Sequence, residues 1–82
     1  MNENDYKPVA VTSVKTLDDY KIELTFDDGC TKIVDLKPLL NKSITEPLKK
    51  PDYFSQVKID NFGGIYWPNT YDICPDFLRY YI

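Results

Sequence analysis

Three carboxylates stand where strands are expected to begin or end: Asp35, Asp60 and Asp72. Brought together, they could hold a cation or share a proton, the chemistry of a small carboxylate-dependent hydrolase. Nothing around them supports that chemistry. No calcium-loop spacing links them, and Asp at a strand end more often builds a turn. The chain has no histidine. That removes Ser-His and Cys-His nucleophiles, His general bases and His-containing zinc sites. The two cysteines, Cys30 and Cys74, are too few for a tetrahedral zinc site from one chain. Without a secreted framework they read as reduced, largely buried thiols. Gly63-Gly64 lacks the spacing and the following Lys-Ser/Thr of a phosphate loop, so it reads as a hairpin loop. No cofactor is implied.

The densest chemistry is aromatic. "GIYWPNTYDICPDFLRYY", residues 64–81, holds the single Trp and four of the seven Tyr. Trp and Tyr dominate binding energy where they sit in a desolvated patch, and they equally fill small cores. Trp67 shares a strand face with Ile65 and reads as core, its indole N–H bonded to a carbonyl. Tyr66 points the other way and is the more exposed aromatic. Asn69 serves a turn, and Asp72 caps or holds it. Asp76 suits the first turn of a last helix. Tyr66, Asn69, Tyr71, Asp72 and Tyr80, with Trp67 beneath them, form the candidate interaction surface.

These residues need elements to carry them. Val9, Val11 and Val14 mark a first strand whose alternation slips, which calls for a bulge. A tight turn follows around Asp18 and Asp19. Ile22, Leu24 and Phe26 alternate with Lys21, Glu23 and Thr25, the pattern of a half-buried antiparallel strand. Asp28-Gly29 is expected as a two-residue type I′ hairpin turn. That register sets Phe26 against Thr31 and Leu24 against Ile33 on the apolar face. Glu23, Thr25, Lys32 and Val34 fall on the opposite face, which is otherwise polar and expected to be wet. The first strand, 9–16, is an open edge and a candidate for pairing with another chain.

Beyond residue 36 the chain breaks into short pieces. Leu39, Leu40 and Leu48 sit on brief helical turns, Pro51 stops one of them, and "PDYFSQ" makes another that sinks Phe54. None is long enough to stand without packing. Val57 and Ile59, then Ile65 and Trp67, form a second hairpin around 61–64, which Pro68 ends. "NTYDI" reads as a turn, and Pro75 opens a C-terminal helix with Phe77 and Tyr81 at i,i+4. The expectation is one α+β domain over 1–82. It has a three-stranded antiparallel meander, a second β-hairpin, short helices between them and a C-terminal helix, with 1–7 loosely ordered.

The order of landmarks resembles a family. The Val-rich strand, "DDYKIELTFDDG", "IVDLKPLL", "DYFSQVKID" and above all "WPNTYDICPDFL" are similar to the mainly bacterial domain of unknown function 2442, over about residues 9–80. Members often carry Gly where this chain has Thr70. The resemblance implies a small α+β domain, sometimes joined to a helix-turn-helix segment. It also implies a neighbouring gene for a small partner, in the manner of toxin–antitoxin pairs. It implies no catalytic residues.

Composition narrows the function. The net charge is −3 with Lys dispersed among Asp and Glu, unlike a strong nucleic-acid binder. "MNENDYKPVAV" lacks the basic and apolar regions of a secretory signal, and no apolar run approaches a membrane span. A cytoplasmic location is expected. A chain of 82 residues buries about 60% of its unfolded surface, so self-association could help it. The leading expectation is a non-enzymatic protein–protein interaction module, antitoxin-like, whose partner is another protein, with a homo-oligomer also open. A nucleic-acid-associated regulator is the alternative, and a carboxylate hydrolase the third.

Overall fold

The computed structural model describes residues 8–82; the expectation for 1–7 lies outside them. Two three-stranded antiparallel sheets organise the chain. The first contains β1 (Val11–Thr16), β2 (Lys21–Phe26) and β3 (Thr31–Asp35), in that order. The second contains β4 (Lys58–Ile59), β5 (Ile65–Tyr66) and β6 (Asp72–Ile73). Between them lie two 3₁₀ segments, Lys37–Leu39 and Ser43–Lys49, and one α-turn, α1 (Pro51–Phe54). A final wide-turned helix covers Phe77–Tyr81. This is the expected α+β architecture, with one addition. The segment read as a turn, "NTYDI", contains β6, so the second hairpin becomes a second meander.

β1 carries the expected bulge, between Val11 and Ser13. The extra residue moves Val14 opposite the buried Leu24 and against the core, where strict alternation would have pointed it away. Its edge is partly occupied: the Val11 N–H donates to the Gly63 carbonyl at 2.8 Å.

The β2–β3 register differs by one residue from the expected one. Leu24 faces Lys32, Ile22 faces Val34 and Glu23 faces Ile33. The turn is the reason. It is a three-residue loop, Asp27-Asp28-Gly29, closed by Phe26 N–H to the Cys30 carbonyl at 2.8 Å and Gly29 N–H to the Phe26 carbonyl at 3.0 Å. Gly29 takes φ +87°, the left-handed residue of a type I turn followed by a G1 bulge. A slip of one exchanges the faces. Val34 therefore goes into the core, and Ile33 lies on the wet face with 60% exposure.

Both remaining hairpins reuse this loop. Asp60 N–H bonds the Gly64 carbonyl (2.9 Å) and Gly63 N–H the Asp60 carbonyl (3.2 Å). Trp67 N–H bonds the Tyr71 carbonyl (2.9 Å) and Thr70 N–H the Trp67 carbonyl (3.0 Å). The left-handed position is Gly63 in one (φ +86°) and Thr70 in the other (φ +70°). At Gly63 a Cβ would stand 2.4 Å from the Ala10 Cβ, so this loop sits flush on β1.

One contiguous core joins both sheets to the helical turns. Leu36, Leu40, Leu48 and Phe54 are the residues that the short turns deliver to it. Thr45 is the buried polar residue there, and its hydroxyl is satisfied locally: it donates to the Lys42 carbonyl (2.9 Å) and accepts from the Lys42 N–H (3.1 Å). The cysteines are free, as expected, but neither is fully buried: Cys30 is half-buried and Cys74 exposed. Pro51 opens α1 as it ends the preceding turn, because its fixed φ suits a first helical position.

Candidate functional site

The aromatic tail folds back as a ladder. Ring centroids run Tyr20 to Phe54 at 5.5 Å, Phe54 to Trp67 at 5.8 Å and Trp67 to Tyr71 at 6.0 Å. Trp67 has no exposed surface, and its Nε1–H donates to the Phe54 carbonyl at 2.9 Å. The Tyr20 hydroxyl closes the far end on the Lys49 carbonyl. Asn69 ties the turn to the neighbouring 3₁₀ segment. Its Nδ2 donates to the Ile44 carbonyl (2.8 Å), and its Oδ1 accepts the Tyr71 N–H (3.3 Å). Asp28 makes the matching bond in the first hairpin, to the Cys30 N–H at 3.0 Å. Trp67 and Asn69 are therefore spent on architecture. Partial burial, with the charge of Asp72 adding to it, pushes the Tyr71 phenol up from its ordinary value.

The second sheet has two contrasting faces. Ile59, Ile65 and Ile73 pair across the strands as an inner row. Lys58, Tyr66 and Asp72 form the outer row, with Tyr66 in the middle strand. Beside that row is a groove of about 390 Å³, lined by Tyr66, Thr70, Asp72 and residues 59–62. Phe62, at the tip of its loop, is 88% exposed. Asp60 holds the loop open for it: one carboxylate oxygen accepts the N–H groups of Phe62 (2.8 Å) and Gly64 (3.0 Å).

Of the six residues of the candidate surface, Trp67 lies beneath, as expected, and the other five sit on different elements. Tyr66 and Asp72 do stand together on the outer row. Trp67 lies below in the core, and Tyr71 and Asn69 lock the adjacent turn. Tyr80 belongs to the C-terminal helix, which is anchored elsewhere. There Arg79 pairs with Asp28 at 3.2 Å and lies over the Phe26 and Tyr80 rings, while Lys32 Nζ grips the Ile82 carbonyl at 2.9 Å. Cys30 N–H and Arg79 hold the Asp28 carboxyl below its ordinary range. The residue that sequence reasoning missed is Phe62. Its signal was an apolar ring in the middle of a hairpin loop, a position that folding alone fills with Asn, Asp or Gly.

The three candidate catalytic carboxylates do not converge. Asp60 and Asp72 border the same groove, but Asp60 is engaged by turn amides. Asp35 closes β3, where it accepts the Lys37 N–H at 3.0 Å. No group of three His, Cys, Asp or Glu side chains able to hold a metal occurs among the described residues. No helix among them is long and apolar enough to cross a membrane.

No curated protein and no solved structure matches the chain. A family model does, over residues 11–82, which includes both sheets, the Asp28-Gly29 turn, the Trp67 ladder and the C-terminal helix. The chain belongs to the family described as protein of unknown function DUF2442.

Proposed function

We propose that this domain is a non-enzymatic protein-binding module, and that it takes its partner on the outer face of the second sheet. One observation carries the reading: Phe62 is held 88% exposed by a loop that Asp60 builds around it. A single exposed phenylalanine is ordinary, but Phe62 lines a groove with Tyr66, and aromatics clustered beside a groove are the usual anchors of an interface. Tyr66 supplies a second aromatic. Asp72 and Asp60 make the rim acidic, so the partner segment carries an apolar side chain next to a Lys or Arg.

The partner class is a small protein encoded beside this one, and the role is that of an antitoxin-like cytoplasmic regulator. The employment of Asp35 and Asp60 in turns supports binding over hydrolysis. The net charge of −3 supports a protein over a nucleic acid as the ligand.

Calorimetric titration of the neighbouring gene's product into this chain tests the reading. Expected is saturable binding that Phe62→Ser weakens at least tenfold, in line with the loss of a hot-spot aromatic. No binding, or binding that Phe62→Ser and Tyr66→Ser leave unchanged, overturns it. Salt-sensitive binding of duplex DNA in place of the protein would transfer the assignment to a nucleic-acid regulator.

A further inference from the structure

We infer that β3 is the self-association edge of this domain, and that two copies join their first sheets by antiparallel β3–β3 pairing centred on Ile33. Among the described residues β3 is the terminal strand of its sheet. Phe26 N–H bonds the Cys30 carbonyl, and Leu36 N–H bonds the Tyr20 carbonyl at 3.0 Å. These bonds set the phase of the ladder: the even-numbered residues of β3 turn their backbone groups toward β2. Thr31, Ile33 and Asp35 turn theirs outward.

The other edges are worse candidates. β1 already receives the 61–63 loop through Val11, and the strands of the second sheet have two residues each. The usual protections of an edge are weak at β3. The segment has no Pro, Gly or bulge. Its one Lys, Lys32, points to the core side and is held by the carbonyls of Arg79 (3.4 Å) and Ile82 (2.9 Å).

The edge is also self-complementary, which a two-fold interface requires. With the axis at Ile33, that side chain, 60% exposed, meets its own copy. Thr31 then faces Asp35 of the other molecule on both sides of the axis, hydroxyl against carboxylate. Centring on Asp35 would set carboxylate against carboxylate. Centring on Thr31 would run the pairing past the Gly29 turn. Among registers with an outward-bonding residue on the axis, the sequence therefore favours Ile33. A single five-residue strand pair is small for a stable interface, so the dimer is concentration-dependent.

Sedimentation across a concentration series on the full chain tests this. Thr31→Lys creates two Lys–Asp35 pairs across the axis and should tighten the dimer. Thr31→Glu sets like charges opposite each other and should weaken it about tenfold or more. Ile33→Lys should leave a monomer. Both positions are solvent-facing, so folding, checked by circular dichroism, should be retained in all three variants. A chain that stays monomeric at high concentration overturns the proposal. So does a dimer indifferent to the sign of the charge at position 31. Neither position borders the Tyr66–Phe62 groove, so this result is independent of partner binding.

Discussion

Thr70 occupies a position that the same fold fills twice with glycine. The loops 27–29, 61–63 and 68–70 share both closing hydrogen bonds, and their left-handed residues are Gly29, Gly63 and Thr70. An L-residue pays about 1–2 kcal/mol in that region, and a β-branched one sits at the upper end. Replacing it by glycine removes that strain but gives back about 0.5–1 kcal/mol through the greater freedom of the unfolded chain. Thr70→Gly should therefore stabilise by about 0.5–1 kcal/mol. For a domain of this size that is a Tm increase of about 2–8 °C. With a urea m-value near 1.5 kcal/mol/M, the midpoint should rise about 0.3–0.7 M at unchanged slope. The converse variant isolates the cause. A Cβ at Gly29 meets nothing within 4 Å, so Gly29→Thr adds backbone strain without a clash, and after the same unfolded-chain offset it should destabilise by about 0.5–1 kcal/mol. A lowered midpoint for Thr70→Gly, or a neutral Gly29→Thr, would show that the turns are not equivalent.

Other perturbations have defined outcomes. Gly63→Ala combines a left-handed φ with a Cβ 2.4 Å from Ala10; it should cost about 2–4 kcal/mol in urea unfolding and speed amide exchange at Val11, whose N–H that loop accepts. Trp67→Phe shortens the ladder and strands the Phe54 carbonyl, so it should cost about 2–4 kcal/mol by thermal melting. Asp19, held below its ordinary pKa by hydrogen bonding and attraction from Lys37, and Asp28, held there chiefly by the Cys30 N–H, release protons more readily in the folded state. Their contribution is therefore present above about pH 4 and lost as pH falls through their folded values; Asp19→Asn with Asp28→Asn should flatten the acid limb of a Tm–pH curve. The Tyr71 phenol is raised, so the unfolded chain ionises first. Stability should fall as pH climbs above about 10, less steeply in Tyr71→Phe.

Much of the fold was legible because the alternation of Ile22, Leu24 and Phe26 has a single reading, and because Pro and Gly punctuate the short turns. The slipped alternation of Val9, Val11 and Val14 announced its bulge. The burial and indole bond of Trp67 followed from its strand face. The β2–β3 register did not follow, because "FDDGC" supports either a two-residue or a three-residue loop. The choice rests on which backbone amides close it, and one residue's difference exchanged Ile33 with Lys32 and Val34. β6 was hidden because two residues between a turn and Pro75 show no period. The anchoring of Tyr80's helix was not legible for a tertiary reason: Arg79 and Lys32 tie the last helix to β3 and the β2–β3 turn, contacts across about fifty residues of sequence. Phe62 was passed over because loops are read for their turn formers, and its exposure becomes visible once Asp60 is seen to hold the loop.

Amide chemical-shift mapping of the isotope-labelled chain during titration with its genetic neighbour's product tests the central claim most directly. The account predicts perturbations concentrated on Lys58, 60–62, Tyr66, Thr70 and Asp72, with the buried Trp67 indole signal nearly still. Perturbations confined to the lysines at 49 and 50, to β1 or to the C-terminal helix would contradict it.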